Sequence, residues 1–365
     1  GVLENNMMDM SLMALSHFPM LNTLELTPAM YLGSCRYKLP DYTEDPAPYK
    51  QIFERFEEYG ISAFFYIGGN DSMDTVLKLS NYAKSIQSDV KIIGVPKTID
   101  NDLFATDHTP GFGSAAKYVA STVLEIAHDA YIYKIPAVII IEIMGRDAGW
   151  LTASSALART TYSQAPDLIY LPEVAFSKEQ FLADVKDKLT KQKTVIVAVS
   201  EGIHDADGNY ISSDSAVADK FGHAQLSGAG KALEYLVRDE IGVKVRSIEL
   251  NVLQRCAGHI ASRTDITESF SLGQAAVKYA AEGKTGIMAA IERISNDPYQ
   301  WVIKSADVAD IANEAKSVPV EWINEAGNDV TDEMIDYLRP LIIGEVSLQY
   351  KDGLPVYLPV DHLLH

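Results

Sequence analysis

Lys-Ile-Ile-Gly-Val-Pro-Lys-Thr-Ile-Asp-Asn-Asp-Leu, residues 91–103, joins an apolar run that stops at a proline to a short turn carrying a lysine, a threonine and two aspartates. The apolar half reads as a strand, and its lack of polar alternation makes it a strand buried on both faces. Such strands belong to parallel sheets, whose ligands sit at the carboxyl ends of the strands. Lys97 can hold an anionic phosphate, Thr98 can donate to another oxygen, and Asp100 and Asp102 are either bases or partners for a divalent cation. The bland alternative is an Asx-type turn with a solvated lysine. A second anion-directed strand end just upstream, at 67–72, weighs against it.

Outward from this stretch, aliphatic or β-branched runs recur at 61–67, 137–143, 167–171 and 194–199, besides 90–95 itself. Helical stretches separate them. After Gly69, the residues Val76, Leu79, Tyr82, Ala83 and Ile86 fall at 3.6-residue spacing, which predicts an amphipathic helix over 72–87. Further helices are predicted near 113–130, 177–192 and 222–241. Strand, turn and helix in repeated alternation give an α/β fold with a parallel sheet covered on both faces. A domain boundary is plausible near Thr109-Pro110-Gly111.

At 365 residues the chain can hold two domains or one large α/β unit. Its net charge of −19 argues against non-specific binding to nucleic acid or anionic membranes, although a few basic side chains in a cleft can still reverse the local potential toward a small phosphate. The longest apolar run, 136–143, is interrupted by Glu142 and is too short to span a bilayer. Cys35 and Cys256 are far apart and in no metal-ligand spacing, and no secretion signal is evident, so a reduced, cytoplasmic setting is expected.

Five more runs carry chemistry. Ile67-Gly68-Gly69-Asn70-Asp71-Ser72 ends one strand and opens a helix, where exposed amides and the helix dipole favour an anion; it also reads as a tight turn with an N-cap. Met144-Gly145-Arg146, after the strand 137–143, offers close backbone approach and a planar fork for phosphate oxygens, unless Arg146 merely pairs with Asp147 or Glu142. Glu201 follows a buried strand and could accept sugar hydroxyls. Arg246 and Arg255 stand nine positions apart, and Gly33-Ser34-Cys35-Arg36 is a small-residue loop ending in an arginine.

Together and in this order, these runs resemble the 6-phosphofructokinase family, over about residues 33–255. The run Thr98-Ile99-Asp100-Asn101-Asp102 is the most specific element of the likeness. The resemblance implies two Rossmann-like three-layer domains with mostly parallel sheets: a phosphate-donor domain, 1–112 with about 256–300, and a sugar-phosphate domain, 113–255 with about 301–365. It implies that Asp100 is the general base toward the sugar hydroxyl, with Asp102 supporting it or the metal site, and that Thr98 and Arg146 flank the transferring phosphoryl group. Arg36, Gly69, Asp71, Ser72 and Lys97 then line the donor site, and Asn70 and Asp71 hold Mg2+. Thr98, Asp100, Met144, Gly145, Arg146 and Glu201 contact fructose 6-phosphate, and Arg255 grips its 6-phosphate. Arg246 matches an arginine supplied by a neighbouring subunit, which implies a homodimer or homotetramer.

Members using ATP usually carry glycine at the positions of Asp71 and Lys97, whereas pyrophosphate users carry aspartate and lysine, so the resemblance is to the pyrophosphate-dependent type. Asp71 adds bulk and charge where the α-phosphate of ATP would lie. Four departures stand out. Asn70 replaces an aspartate of the metal site, Val252 a histidine or tyrosine of the 6-phosphate pocket, and Ala137 an arginine of the subunit interface; the family's opening strand and Gly-Gly turn are not evident. An ATP-dependent enzyme and a non-catalytic sugar-phosphate-binding homologue remain alternatives. A nucleotide-binding oxidoreductase is disfavoured by the lack of a Gly-x-Gly-x-x-Gly turn.

Overall fold

In chain order the main elements of the computed structural model are α1 (Ala47–Glu58), β1 (Ala63–Gly68), α2 (Asn70–Ser85), β2 (Lys91–Pro96), α3 (Phe112–Tyr131), β3 (Ala137–Ile143), α4 (Trp150–Ser154) and β4 (Leu168–Tyr170). They continue with α5 (Lys178–Lys191), β5 (Thr194–Ser200), α6 (Ala229–Glu240), β6 (Lys244–Glu249), α7 (Arg263–Ala281), β7 (Ile287–Asn296), β8 (Tyr299–Asp307) and α8 (Asp332–Leu338). The structure describes residues 23–34, 37–211, 217–218, 224–225, 228–312 and 314–358. Arg36 and the opening segment therefore lie outside the described residues.

Two four-stranded sheets organise the chain. The first has the order β1-β2-β7-β8, parallel except for β8, which returns antiparallel along β7. The second has the order β4-β5-β3-β6 and is parallel throughout. Every side chain of β5 is buried and β3 nearly matches it, as unalternating aliphatic runs require. Burying each such Val or Ile fully contributes about 1.5–3 kcal/mol. β1 departs from this expectation: Phe64, Phe65 and Tyr66 are half-buried and Ile67 is exposed, because β1 is the edge strand among the described residues.

The predicted helix over 72–87 is α2, two residues earlier at each end. Val76, Leu79, Tyr82 and Ala83 are buried as its spacing requires, whereas Ile86 falls past the last turn and is exposed. The hairpin β7-β8 was not legible as such in the sequence. It belongs to the first sheet with both strands, so a division at about residue 300 would fall within one antiparallel hairpin, at the bulge between Gln300 and Trp301.

Register places the functional turns. Gly68 lies opposite Pro96, so the turns after β1 and β2 leave the first sheet side by side. Ile143 lies opposite Ser200, so the turns after β3 and β5 do the same in the second.

Candidate active site

The two first-sheet turns are stitched together. The Lys97 amide donates to the Gly68 carbonyl at 2.9 Å, and a Cβ on Gly69 would lie 3.6 Å from the Thr98 Cβ. Gly68 itself is compulsory, since a Cβ there would come within 2.0 Å of the Ser72 Oγ. Asn70 and Asp71 occupy the first turn of α2, Asp71 exposed and Asn70 donating from Nδ2 to the Glu314 carbonyl at 2.8 Å.

The 98–102 turn is shaped by a residue between the two aspartates. Asn101 is fully buried and adopts φ 55°, the left-handed region that asparagine tolerates best after glycine. Its Nδ2 donates to the Tyr337 hydroxyl at 3.0 Å and its Oδ1 accepts from the Thr109 amide at 3.1 Å and from the Lys316 ammonium at 3.3 Å. With Asn101 turned inward, its neighbours Asp100 and Asp102 are left partly exposed. The Asp100 amide donates to the Thr98 Oγ1 at 3.1 Å, and the Thr98 carbonyl accepts from the Thr109 hydroxyl at 2.7 Å.

The second sheet closes the group. Gly145 has φ 137°, and a Cβ on it would lie 2.5 Å from the Ala148 carbonyl. Its amide donates to the Glu201 Oε1 at 3.3 Å. Gly202 packs on the backbone of Arg146. The alternative that Arg146 pairs with Glu142 is corrected: Glu142 accepts from the Gly228 and Gly230 amides at 3.1 and 2.7 Å and caps α6 instead.

Burial, then the neighbouring Asp102 carboxylate, raises Asp100 to about 6, against the pull of Arg146 and Lys97. Burial likewise raises Glu201 to about 7, with Asp100 and Glu142 adding repulsion. Asp100 feels the charges of Asp102, Lys97 and Arg146, and Glu201 those of Asp100 and Arg146, so the turns of the two sheets share one electrostatic neighbourhood. Two polar atoms of this group are buried without a partner, the Asp102 Oδ1 and the Arg146 Nε. Such orphans are costly unless a ligand meets them.

Carboxylates and basic groups thus gather at the carboxyl ends of parallel strands in both sheets, and a family profile over most of the chain decides the family. The chain belongs to the phosphofructokinase family. The family profile for phosphofructokinase matches residues 1–280. A pyrophosphate–fructose 6-phosphate 1-phosphotransferase of Xanthomonas campestris pv. campestris (strain B100) is 43% identical over 343 residues, 93% of this chain and 82% of that protein. Among solved structures, the pyrophosphate-dependent phosphofructokinase of Nitrosospira multiformis superposes with a TM-score of 0.84 at 38% identity, covering 93% of this chain and 81% of that one. The pyrophosphate-dependent enzyme of Marinobacter aquaeolei gives 0.83 at 36% identity, covering 94% and 81%.

Not every residue expected of a phosphofructokinase site joins the group. Arg246 lies opposite Ile139 in the middle of β6, exposed on the strand that forms an edge of the second sheet among the described residues, well short of the turn after β3. Arg255 is exposed at the end of the short helix Asn251–Arg255, and Val252 is exposed in the same helix. Met144 is partly buried and packs on the core of the second sheet. Conversely, the sequence reading passed over Asn101, Lys316, Trp150 and Tyr337. Asn101 could have been found by asking why an amide separates two carboxylates; Lys316 had no local signal at all.

Proposed function

We propose that this chain transfers a phosphoryl group from pyrophosphate to O1 of fructose 6-phosphate, giving fructose 1,6-bisphosphate and phosphate. The observation that carries the reading is Asp100, in the turn after β2, a carboxylate that burial and Asp102 raise to about 6 and that feels the charges of Arg146 and Lys97. Asp100 accepts the O1 proton as O1 bonds to phosphorus, and the bridging P–O bond breaks to release inorganic phosphate. A base so placed contributes about 10²- to 10⁴-fold. Arg146 and Thr98 meet the charge on the transferring group, and Lys97 meets the leaving phosphate. Met144, Gly145 and Glu201 hold the sugar and Arg255 its 6-phosphate, the first sheet handling the donor and the second the acceptor.

Magnesium suits these residues as a cation carried in on the donor. Among the described residues no group of three or more His, Cys, Asp or Glu forms a dedicated metal cage. Mg2+ is commonly held by one or two carboxylates and the substrate phosphates. Asp71, with Asn70, would hold it, and it would neutralise phosphate charge.

The donor rests on Asp71 and Lys97, on neighbouring strand ends, and on the names of the relatives. Parallel assays with pyrophosphate and with ATP test it: turnover with pyrophosphate and little with ATP is expected, and brisk turnover with ATP alone overturns it. No helix among the described residues is long and apolar enough to cross a membrane, and a cytoplasmic homo-oligomer using Arg246 across its interface fits the exposed edge of β6.

A further inference from the structure

One short segment, residues 314–318, touches three of the four turns that make the site. The Glu314 carbonyl accepts from the Asn70 side chain at 2.8 Å. Ala315 forms a β-bridge with Leu103, and the Lys316 amide donates to the Asp102 carbonyl at 2.8 Å. The Lys316 carbonyl accepts from the Trp150 indole at 2.8 Å, just past the Arg146 loop. Glu173 accepts from the Val318 and Gly149 amides, both at 2.9 Å, and so ties the end of the segment to the same loop.

Lys316 is the centre of this strap. Its ammonium donates to the Asp107 carbonyl at 2.6 Å, the Thr106 carbonyl at 3.1 Å and the Asn101 Oδ1 at 3.3 Å. It also lies 5.2 Å from the Trp150 ring centroid. Three donors meet three acceptors, all on the backbone or side chain of the loop that begins at Asp100, and none is a substrate-facing atom. Beyond them stand Asp107, held by Arg293 at 2.9 Å, and Tyr337, which donates to the Asp107 carbonyl at 2.7 Å. An ammonium fully occupied in this way holds a loop rather than a ligand.

We propose that Lys316 is a positioning residue for phosphoryl transfer, fixing the 100–102 turn against the Arg146 loop through Asn101, the Asp102 carbonyl and Trp150. This rests on the role given above to Asp100. Lys316→Met keeps the length and apolar stem of the side chain and removes all three donors. In the full chain it should lower kcat about 100-fold, the penalty for a displacement of roughly 1 Å in reacting groups. KM for fructose 6-phosphate and for pyrophosphate should stay within about threefold, since uniform binding is left in place. Amide exchange at Thr98 and Thr109 should quicken while β3 and β5 are unaffected. An unchanged kcat, or a loss that only tracks the fraction of folded protein, overturns the proposal. Should Lys316→Met fail to fold, Trp150→Phe removes a single bond to the strap and should lower kcat by about threefold to tenfold, the worth of one hydrogen bond; no change overturns it equally. If the unsubstituted chain uses neither donor, the proposed reaction fails, and the exchange rates at Thr98 and Thr109 still decide the strap.

Discussion

Gly202 lies directly against the backbone of Arg146: a Cβ built on it would fall 1.8 Å from the Arg146 carbonyl oxygen and 2.8 Å from its Cα. Neither atom belongs to a flexible side-chain end, so Gly202→Ala must move the loop that presents the guanidinium. We expect the substitution to lower kcat about 100-fold through that displacement, with loss of thermal stability. Steady-state kinetics beside a melting curve checks both.

Asp100→Asn keeps the shape of the turn and removes the proton acceptor. Turnover should fall by about 10²- to 10⁴-fold, while fructose 6-phosphate binding, followed by calorimetry, is retained. Full activity in this variant would show that another group takes the proton.

The raised Asp100 carboxyl, at about 6, sets an acid limit. The base must be ionised, so kcat/KM should decline as pH falls through about 6 and level off above it. The linkage runs the other way for stability. A carboxyl raised on folding adds stability below its unfolded value, and that contribution is lost as pH rises through the folded one. Denaturant titrations at pH 4 to 7 on the parent and Asp100→Asn should therefore show the parent losing more stability over that interval.

Donor choice should move with Asp71 and Lys97. Replacing both by glycine relieves charge and bulk where the α-phosphate of ATP would lie and removes the ammonium proposed for the leaving group. The ratio of kcat/KM for pyrophosphate to that for ATP should drop by at least about tenfold, one charge-assisted contact. A ratio unchanged in the double variant would shift donor selection elsewhere.

Arg246 is expected to serve a neighbouring site. Arg246→Ala should raise KM for fructose 6-phosphate more than it lowers kcat. Mixing it with Asp100→Asn chains gives hybrids holding one intact site, and recovered activity in the mixture identifies the arginine as acting between subunits. Sedimentation of the parent chain gives the stoichiometry.

The sheet and its turns were largely legible because two cues agreed. Unalternating aliphatic runs such as 137–143 and 194–199 can only be buried strands, and their turn residues are glycines, carboxylates and basic groups. The hairpin Ile287–Asn296 and Tyr299–Asp307 escaped because half of it faces solvent and alternates, as in Gln300, Val302 and Lys304. Glu142 misled for the opposite reason: a carboxylate in an apolar strand reads as an interruption until the amides of Gly228 and Gly230, 86 and 88 residues away, are seen to meet it. Lys316 lies 215 residues from Asn101, a distance no local pattern spans.

Asn101 also bears on what can be borrowed from this protein. The five-residue motif alternates in purpose, its carboxylates left partly exposed while the amide between them is spent on the nearby Thr109 and on Tyr337 and Lys316, which come from remote parts of the chain. A designer who grafts the motif alone onto another parallel sheet transfers the reactive groups without the anchor that aims them. The smallest transplantable unit is the turn through Thr109 together with its two distant partners, Lys316 and Tyr337.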